Sequence, residues 1–293
     1  MSSQNNPSSS SSAVSQPHFV REGWVEATQF HDLNEEDVLR EVANRVSDVK
    51  SRATAEKHTH PLILLDLDST LYEVGPRNHK ILREWKETEG SRPFVSVLEK
   101  LSLLDHRIHN GYSMEDTFAL VGLDLNDAEV KKACDSAKKF WFDRFFTSEY
   151  LKYDHVYLGS PEFAREVHRL GAEIVYLTGR DEPGMGDGTR NRLIQDGFPF
   201  NTERTHLILK KAFEIDDLDH KQEAARFIQN HGTLIASFEN EPPNLVALYD
   251  IFPKAMHVFV DTVCSDRPAP AGRDMYRIKG LSGFAAYAKS LGV

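Results

Sequence analysis

Residues 61–71 read Pro-Leu-Ile-Leu-Leu-Asp-Leu-Asp-Ser-Thr-Leu. Within them, residues 62–65 form an unbroken apolar run, which predicts a strand that is buried on both faces. Asp66 and Asp68 follow directly, with a serine and Thr70 behind them. In open α/β sheets, ligands bind beyond the carboxyl ends of parallel strands, so this order places two acids where chemistry is usually done.

The spacing of the two acids would let both carboxylates act on one phosphate group. Asp66 ends the predicted strand, and Asp68 lies where the chain can turn its carboxylate back toward the same crevice. One carboxylate can then attack phosphorus while the other moves a proton. Together they carry enough negative charge to hold a Mg²⁺ ion, which would also neutralise a phosphate. The alternative is a strand that merely ends in an acidic turn, and the remaining motifs weigh against it.

The segment Asp66-Leu67-Asp68-Ser69-Thr70 resembles the first motif of the haloacid dehalogenase (HAD) superfamily of phosphotransferases. That family carries four short motifs, each at the end or flank of a core strand. The resemblance implies an aspartyl-phosphate intermediate on Asp66 and a metal ion bound by the main-chain carbonyl of Asp68. Dehalogenases of the family lack the second acid, so Asp68 favours phosphoryl transfer.

Composition narrows the class of protein. The chain has 293 residues and a formal net charge of -10, which argues against non-specific nucleic-acid binding. The two cysteines, Cys134 and Cys264, provide no disulfide framework and indicate a reducing, cytoplasmic location. No apolar stretch predicts a membrane span, and the Ser-rich residues 1–17 predict a disordered tail.

A long helical region separates the first predicted strand from the next. Its apolar periodicity predicts helices near residues 77–87, 94–104, 114–121 and 128–146. We therefore divide the chain after the tail into a core of residues 18–75 and 155–293 and a helical insertion of residues 76–154. In the HAD family an insertion at this point is the type 1 cap, which implies a lid that selects substrate and excludes water.

The insertion ends in a cluster of aromatic residues: Phe140, Trp141, Phe142, Phe145 and Phe146. We expect these rings to pack a helical core, because aromatic side chains at helical spacing usually do so. The alternative is that one of them faces the substrate.

The strand predicted at residues 173–177 ends in Thr178-Gly179-Arg180, which resembles the second HAD motif. A hydroxyl and adjacent main-chain N–H groups can hold phosphate oxygens, glycine lets the backbone approach closely, and arginine adds a cation. We therefore expect Thr178, Gly179 and Arg180 to bind phosphate. The glycine-rich residues after them, 181–188, are interpreted as a flexible turn before a helix that begins at Thr189.

Two lysines are candidates for the third motif, which is a lysine near the start of a helix. Lys221 lies in the first turn of a helix predicted from residue 220. It would pair with Asp66 and shield nucleophile and phosphate from each other. Lys210, at the end of the strand predicted at residues 206–209, is the rival. A third reading is that these lysines are solvated surface charges.

The fourth motif departs from the family pattern. After the strand at residues 233–238, Glu239 stands where the family usually has Asp, and Asn244 takes the place of a later acid. Glutamate is still a hard oxygen ligand, so Mg²⁺ is expected on Asp66, on Asp68 and on Glu239. Asn244, and likewise Thr70 of the first motif, are expected to support the site without contacting the ion.

The sequence predicts an α/β three-layer sandwich with a mostly parallel sheet, whose final strand lies at residues 256–261, and a helical cap. The predicted function is Mg²⁺-dependent hydrolysis of a small phosphate monoester. Asp66 would be the nucleophile, Asp68 the general acid and base, and Lys221 a charge-neutralising group. Two alternatives use the same scaffold: a phospho-ligand binder weakened by the altered fourth motif, and a phosphotransferase or mutase with the same residues.

Overall fold

A computed structural model describes residues 21–52 and 60–284 of the chain. Its centre is a seven-stranded sheet in which every neighbouring pair is parallel. The strands of this sheet are β1 (Gln29–Asp32), β2 (Pro61–Leu65), β5 (Glu173–Asp181), β6 (Thr205–Lys210), β7 (Thr233–Glu239), β8 (Met256–Val260) and β9 (Asp274–Ile278). The short strands β3 (Tyr72–Glu73) and β4 (His155–Val156) pair antiparallel to each other. The predicted tail at residues 1–17 lies outside the described residues.

Helices cover both faces of the sheet and fill the insertion. Those of the described chain are α1 (Arg21–Ala27), α2 (Glu35–Ser51), α3 (Gly75–Lys86), α4 (Val95–Leu101), α5 (Met114–Leu120), α6 (Ala128–Phe145), α7 (Ser160–Arg169), α8 (Glu182–Gln195), α9 (Asp217–His231) and α10 (Pro242–Ile251). A 3₁₀ turn spans Tyr150–Tyr153. None of these helices has the length and apolar character needed to cross a membrane.

The alternation of side chains along β2 explains the three layers. Ile63 and Leu65 point into one buried cluster with apolar residues of α2 and α7. Leu62 and Leu64 point the other way, into a cluster with residues of α9 and α10. Because both faces of the strand are covered, its sequence is a continuous apolar run rather than an alternating one. The predicted three-layer α/β fold with a mostly parallel sheet is confirmed.

The strand order is β1-β9-β8-β7-β2-β5-β6, so the chain builds outward from β2 in two directions. From β2 it proceeds to β5 and β6 on one side, and it then returns to β7, β8 and β9 on the other. The loops after β2, β5 and β7 therefore diverge and leave a crevice at their carboxyl ends, which is where open α/β sheets bind ligands.

The inserted helices α3 to α6 have an apolar core of their own. Trp85, Val97, Phe118 and Ala133 are among its buried residues. The chain leaves the core through β3 and returns through β4, so the paired strands form the neck of the insertion. Its predicted limits at residues 76 and 154 stay a prediction.

The expectation of a flexible turn at residues 181–188 is wrong, because α8 already begins at Glu182. The side chain of Asp181 caps the helix by accepting a hydrogen bond from the main-chain N–H of Gly184, and a proline occupies the first turn. The glycines serve close packing: a Cβ at Gly184 would lie 2.7 Å from the carbonyl oxygen of Phe146. The end of the insertion thus rests directly on α8.

Two strands of the seven-stranded sheet were not predicted, β1 and β9, which are neighbours at one side of the sheet. The short strands β3 and β4 were not predicted either. The four residues of β1, Gln29–Asp32, include one large apolar side chain. The segment Asp274–Ile278 mixes polar and apolar residues in a short alternation. Of the two, β1 is the edge strand, and an edge strand is covered on fewer sides than a central one, so its sequence carries a weaker apolar signal. Strand β9 is paired with both β1 and β8, and its short alternation is too brief to indicate a strand.

Candidate active site

The carboxyl ends of β2, β5 and β7 open into a cavity of about 240 Å³ between the sheet and the inserted helices. The motif residues that line it are Asp66, Asp68, Thr178, Gly179, Arg180, Lys221, Glu239 and Asn244. The fold therefore brings together side chains that come from distant segments of the sequence, as the resemblance implied.

On the sheet side, three residues form what we call the core cluster: Asp66, Lys221 and Glu239. The ammonium nitrogen of Lys221 lies 2.6 Å from Asp66 Oδ1 and also contacts Glu239 Oε2. The three residues are 5%, 2% and 0% exposed, respectively. Two buried carboxylates thus share one cation, and the cluster carries an excess of negative charge when all three groups are ionised.

This excess shifts the titration of the core cluster. Burial, reinforced by the charge of Glu239, raises the pKa of Asp66 to about 7, against the opposing effect of Lys221. Burial also raises the pKa of Glu239. The pKa of Lys221 is raised, because its two carboxylate partners outweigh the burial that disfavours its charge. Lys221 is therefore a permanent cation, while the carboxylates gain from any further positive charge.

On the other side of the cavity, Asp68 and Asp154 meet Arg77 and Arg180 in what we call the linker cluster. Arg180 donates to Asp68 Oδ2 at 3.0 Å and to Asp68 Oδ1 at 2.7 Å. Arg77 donates to Asp68 Oδ1 at 2.9 Å. Asp154 pairs with both arginines, at 2.8 Å to Arg77 Nε and 3.0 Å to Arg180 Nη2. Two carboxylates and two guanidiniums thus balance in one group, in which Arg77, Arg180 and Asp154 are buried and Asp68 is half-buried.

The contacts within the linker cluster determine the charge state of Asp68 and the hydrogen-bond partners of Arg180. Burial opposes the ionised form of Asp68, yet the charges of Arg180 and Arg77 lower its pKa below the usual value. Burial raises the pKa of Asp154 to about 6, against the effect of the same arginines. The guanidinium of Arg180 lines the cavity but donates to Asp68 and Asp154, so phosphate binding by Arg180 stays a prediction.

Thr178 and Gly179 lie at the end of β5 and line the cavity. The hydroxyl of Thr178 accepts a hydrogen bond from the main-chain N–H of Arg180 at 3.2 Å, which leaves its proton free to be donated toward the cavity. A Cβ at Gly179 would lie 2.7 Å from Asp217 Oδ2, so any larger residue here would collide with the start of α9. Both residues line the cavity, and their role in phosphate binding stays a prediction.

The loop after β7 holds Glu239 in place. Glu239 Oε1 accepts main-chain hydrogen bonds from Asn240 at 3.1 Å and Glu241 at 3.0 Å. The hydroxyl of Thr70 donates to Asn240 Oδ1 at 3.1 Å, so Thr70 helps to hold this loop. The predicted Asn244 lines the cavity one turn further on, at the start of α10. Asn240 is thus a supporting residue that the sequence reasoning missed.

The choice between two lysines is decided in favour of Lys221 as the partner of Asp66. Lys210 lies at the end of β6, and its ammonium donates to the carbonyl oxygens of Phe213 and Ile215, both at 3.0 Å. It also pairs with Asp217 at 3.0 Å. Lys210 therefore closes a surface loop and does not reach the core cluster.

The Mg²⁺ that the resemblance implies needs oxygen donors. Within residues 21–52 and 60–284, no group of three or more His, Cys, Asp or Glu side chains is arranged to hold a metal ion. The carboxylate of Asp68 accepts hydrogen bonds from Arg77 and Arg180, so the main-chain carbonyl of Asp68 is the atom that would bind the ion. A carboxylate offers about four lone pairs, and the contacts above leave some on Asp66 and one on Glu239. These donors, with their excess negative charge, fit a hard cation.

Arg77 and Asp154 are the functional candidates that sequence reasoning missed. Arg77 lies in the first turn of α3 and Asp154 directly precedes β4, so each belongs to one of the two linkers of the insertion. Both are almost fully buried, at 0% and 2% exposure. The available signal was position: charged residues beside β3 and β4 are brought to the mouth of the crevice whenever those strands pair.

The four motif segments thus stand at the ends of β2, β5 and β7 and near the start of α9, and the helical insertion follows the first of them. This arrangement agrees with the one that the resemblance of the sequence motifs to the HAD superfamily implied. No model of a protein family matches the chain, and no curated protein matches it.

Solved structures with a similar fold include a haloacid dehalogenase-like hydrolase from Streptococcus pneumoniae, at 13% identity and a TM-score of 0.44, covering 78% of this chain and 98% of that one. Another is protein tyrosine kinase A from Mycobacterium tuberculosis, at 13% identity and a TM-score of 0.48, with 81% of this chain and 100% of that one covered. A third is a protein described as a predicted phosphatase from Clostridium acetobutylicum, at 13% identity and a TM-score of 0.45, with 80% of this chain and 99% of that one covered.

Proposed function

We propose that this protein is a phosphate-monoester hydrolase that acts through an aspartyl-phosphate on Asp66. The observation that carries the proposal is the buried contact of 2.6 Å between Lys221 Nζ and Asp66 Oδ1 at the carboxyl end of β2. A carboxylate held there beside an ammonium, in a cavity that Thr178 also lines, is placed for attack on phosphorus. The cysteines of the described chain are unpaired thiols, which supports a cytoplasmic location.

The reaction proceeds in two displacements. In the first, an oxygen of Asp66 forms a bond to phosphorus, the bond between phosphorus and the leaving oxygen breaks, and the leaving alcohol takes up a proton. In the second, water gives a proton to a base and attacks phosphorus, which releases phosphate and restores the carboxylate. Lys221 and Thr178 offset the negative charge that develops on the phosphoryl oxygens.

Asp68 is the acid–base residue, and its contacts set its starting state. Because Arg77 and Arg180 hold it ionised, it is ready to take the proton of the attacking water in the second displacement. Donation of a proton in the first displacement requires Asp68 to separate from these arginines. Since Arg77 lies in a linker of the insertion, a movement of the insertion would alter this contact.

We further propose Mg²⁺ as the cofactor. Asp66, Glu239 and the main-chain carbonyl of Asp68 would hold the ion, which would supply positive charge to the phosphoryl group. The support for it is electrostatic: the core cluster has two carboxylates and one ammonium, so a dianionic phosphate needs additional positive charge beside it. Glu239 in place of the usual aspartate keeps the donor type and lengthens the side chain by one methylene.

The proposal is tested by assaying a library of small phosphate esters with and without Mg²⁺, using the parent and Asp66→Asn. We expect release of phosphate by the parent and a loss of at least about 10³-fold in the variant. Equal activity of the two proteins would refute the nucleophile. No turnover of any ester at any Mg²⁺ concentration would favour a phospho-ligand binder. Phosphate passed to an added alcohol would indicate a phosphotransferase.

A further inference from the structure

The half of the cavity that faces the inserted helices is a wall of apolar and aromatic side chains. Its members are Val74, Tyr112, Trp141, Phe145, Phe146 and Met185. Three of the five clustered aromatic residues at the end of α6 thus line the cavity. The expectation that this cluster packs only a helical core is therefore too narrow, and the alternative of substrate-facing rings gains support.

The rings of this wall are fixed in position before any ligand arrives. Trp141 and Phe145 stack with centroids 4.4 Å apart, and Phe146 meets each of them edge-on, at 5.4 Å and 5.0 Å. The indole N–H of Trp141 donates to Asn78 Oδ1 at 2.7 Å. A preformed aromatic surface binds a flat ring with little loss of side-chain entropy.

The charges around the cavity indicate what the wall does not bind. Among the described residues that line it, the cationic ones are Arg180 and Lys221, and both already have carboxylate partners. A leaving group with a second phosphate or a carboxylate would therefore lie in an acidic cavity without a free cation. A cationic leaving group is disfavoured as well, because the guanidinium of Arg77 already lies 3.9 Å from the centroid of the Phe145 ring.

The size of the cavity limits the leaving group further. Its volume is about 240 Å³, whereas sites for drug-sized ligands run to about 300–1,000 Å³. An apolar cavity of about 150 Å³ accepts benzene. The space here therefore suits one phosphoryl group and one aromatic ring.

We propose that the substrate is a phosphate monoester whose leaving group carries a single uncharged aromatic ring, which packs on Trp141, Phe145 and Phe146. This inference rests on the proposed function, since it names the substrate of the same site. The phosphoryl group lies on the core cluster, and the ring lies against the end of α6.

The test measures binding with phosphonates, whose carbon–phosphorus bond is not hydrolysed, so that leaving-group reactivity cannot mimic recognition. Phenyl-, cyclohexyl-, methyl- and (2-trimethylammonioethyl)phosphonate are titrated into the full chain with Mg²⁺ by calorimetry. We expect the phenyl compound to bind at least about tenfold more tightly than the methyl compound, from burial of the ring. It should bind about threefold or more tightly than the cyclohexyl compound, from ring–ring contacts.

Variants connect this preference to the wall. Phe146→Leu and Trp141→Leu keep apolar bulk but remove a ring, and each should reduce the phenyl-to-methyl ratio by about threefold or more. Phe140→Leu is the matched control, because Phe140 lies on the same helix but does not line the cavity, and its ring packs against Arg144. Its ratio should equal that of the parent. Thermal melting verifies that each variant is folded. If Trp141→Leu does not fold, the test is made with Phe146→Leu.

Equal binding of the phenyl and methyl compounds, tightest binding of the trimethylammonium compound, or unchanged ratios in folded ring variants would overturn the inference. Turnover of aliphatic esters without any aromatic preference would leave the hydrolase intact and refute the aromatic substrate. Tight and ring-dependent binding of phenylphosphonate by a protein that hydrolyses no ester would support recognition of an aromatic ring and refute the hydrolase.

Discussion

The two charge clusters on either side of the cavity are built from similar groups but differ in balance. In the core cluster, two carboxylates share the single ammonium of Lys221. In the linker cluster, two carboxylates meet the guanidiniums of Arg77 and Arg180. The first is incomplete without a proton or a bound cation, whereas the second is complete as it stands.

This difference in charge balance predicts different roles for the two clusters. An unbalanced buried cluster has a pKa near neutrality, as Asp66 does at about 7, and it gains free energy when a cation or proton enters. A balanced buried cluster gains nothing from a further charge and loses much when one member is removed. We therefore propose that the core cluster binds the ligand and that Arg77, Arg180 and Asp154 of the linker cluster hold the insertion against the sheet, while Asp68 joins this cluster to the proposed chemistry.

The largest expected effect comes from unbalancing the linker cluster. Arg77→Met leaves Asp68 and Asp154 with one guanidinium between them, and loss of a partner from a buried pair costs about 3–5 kcal/mol. Urea unfolding of the variant should show this loss in the free energy of unfolding. Arg83→Met, on the exposed face of the same helix, is the control and should change it by less than about 0.5 kcal/mol. A cost below about 1 kcal/mol for Arg77→Met would contradict the assignment.

The next effect comes from removing the cation of the core cluster. Lys221→Met takes away the group that offsets developing charge, and we expect kcat to fall by about 10²–10³-fold, as for loss of one oxyanion donor. Lys210→Met is the matched control, because Lys210 bonds only to its own loop and to Asp217. The control should lose stability but keep kcat within about threefold. Similar losses of kcat in both variants would contradict the choice of Lys221.

The core cluster could be predicted from the sequence because each of its members follows a strong local signal. Asp66 ends a continuous apolar run, Glu239 ends another, and Lys221 lies near the start of a helix that returns to the sheet. Parallel strands bring such ends to one edge of the sheet whatever their distance in the chain. The topology alone therefore assembles the cluster.

The linker cluster could not be predicted in the same way. Its pairs depend on how the insertion docks: Arg77 and Asp154 come from opposite linkers, and nothing in their neighbours distinguishes them from surface charges. Long charged side chains are exposed in most proteins, so burial of Arg77 is visible only once helices α3 and α6 are packed. The same dependence on tertiary contact hid α8, whose glycines fit against the end of the insertion.

A smaller effect is expected on metal affinity. Glu239→Gln replaces one charged donor by a neutral one and leaves Lys221 with a single carboxylate, so the Mg²⁺ concentration for half-maximal activity should rise by about 10–100-fold. Asp217→Asn removes an acid that also lines the cavity but is paired with Lys210, and it should shift this concentration by less than about threefold. An Mg²⁺ dependence that is unchanged in Glu239→Gln would remove Glu239 from the metal site.

The smallest effect, a dependence of stability on pH, distinguishes the two clusters directly. The pKa of Asp66 rises from 3.8 to about 7 on folding, so between these values the folded chain binds more protons than the unfolded one. The contribution of Asp66 to stability must therefore fall as pH rises through this window. In the linker cluster, Asp68 has a lowered pKa, so its contribution is retained above its unfolded pKa and is lost only in acid. The pKa of Asp154 is about 6. Of the two clusters, the core cluster should therefore dominate the change in stability between about pH 6 and pH 7.

Melting temperatures of the parent and Asp66→Asn, recorded without Mg²⁺ from pH 5 to 8, measure the difference. The variant lacks the titrating group, so it should gain stability relative to the parent as pH rises, most clearly between pH 6 and 7. Added Mg²⁺ should raise the melting temperature of the parent more at pH 8 than at pH 5, because the ion competes with the proton for the same carboxylate. Parallel curves for parent and variant would mean that Asp66 is ionised throughout, and the imbalance of the core cluster would then lie on Glu239 alone.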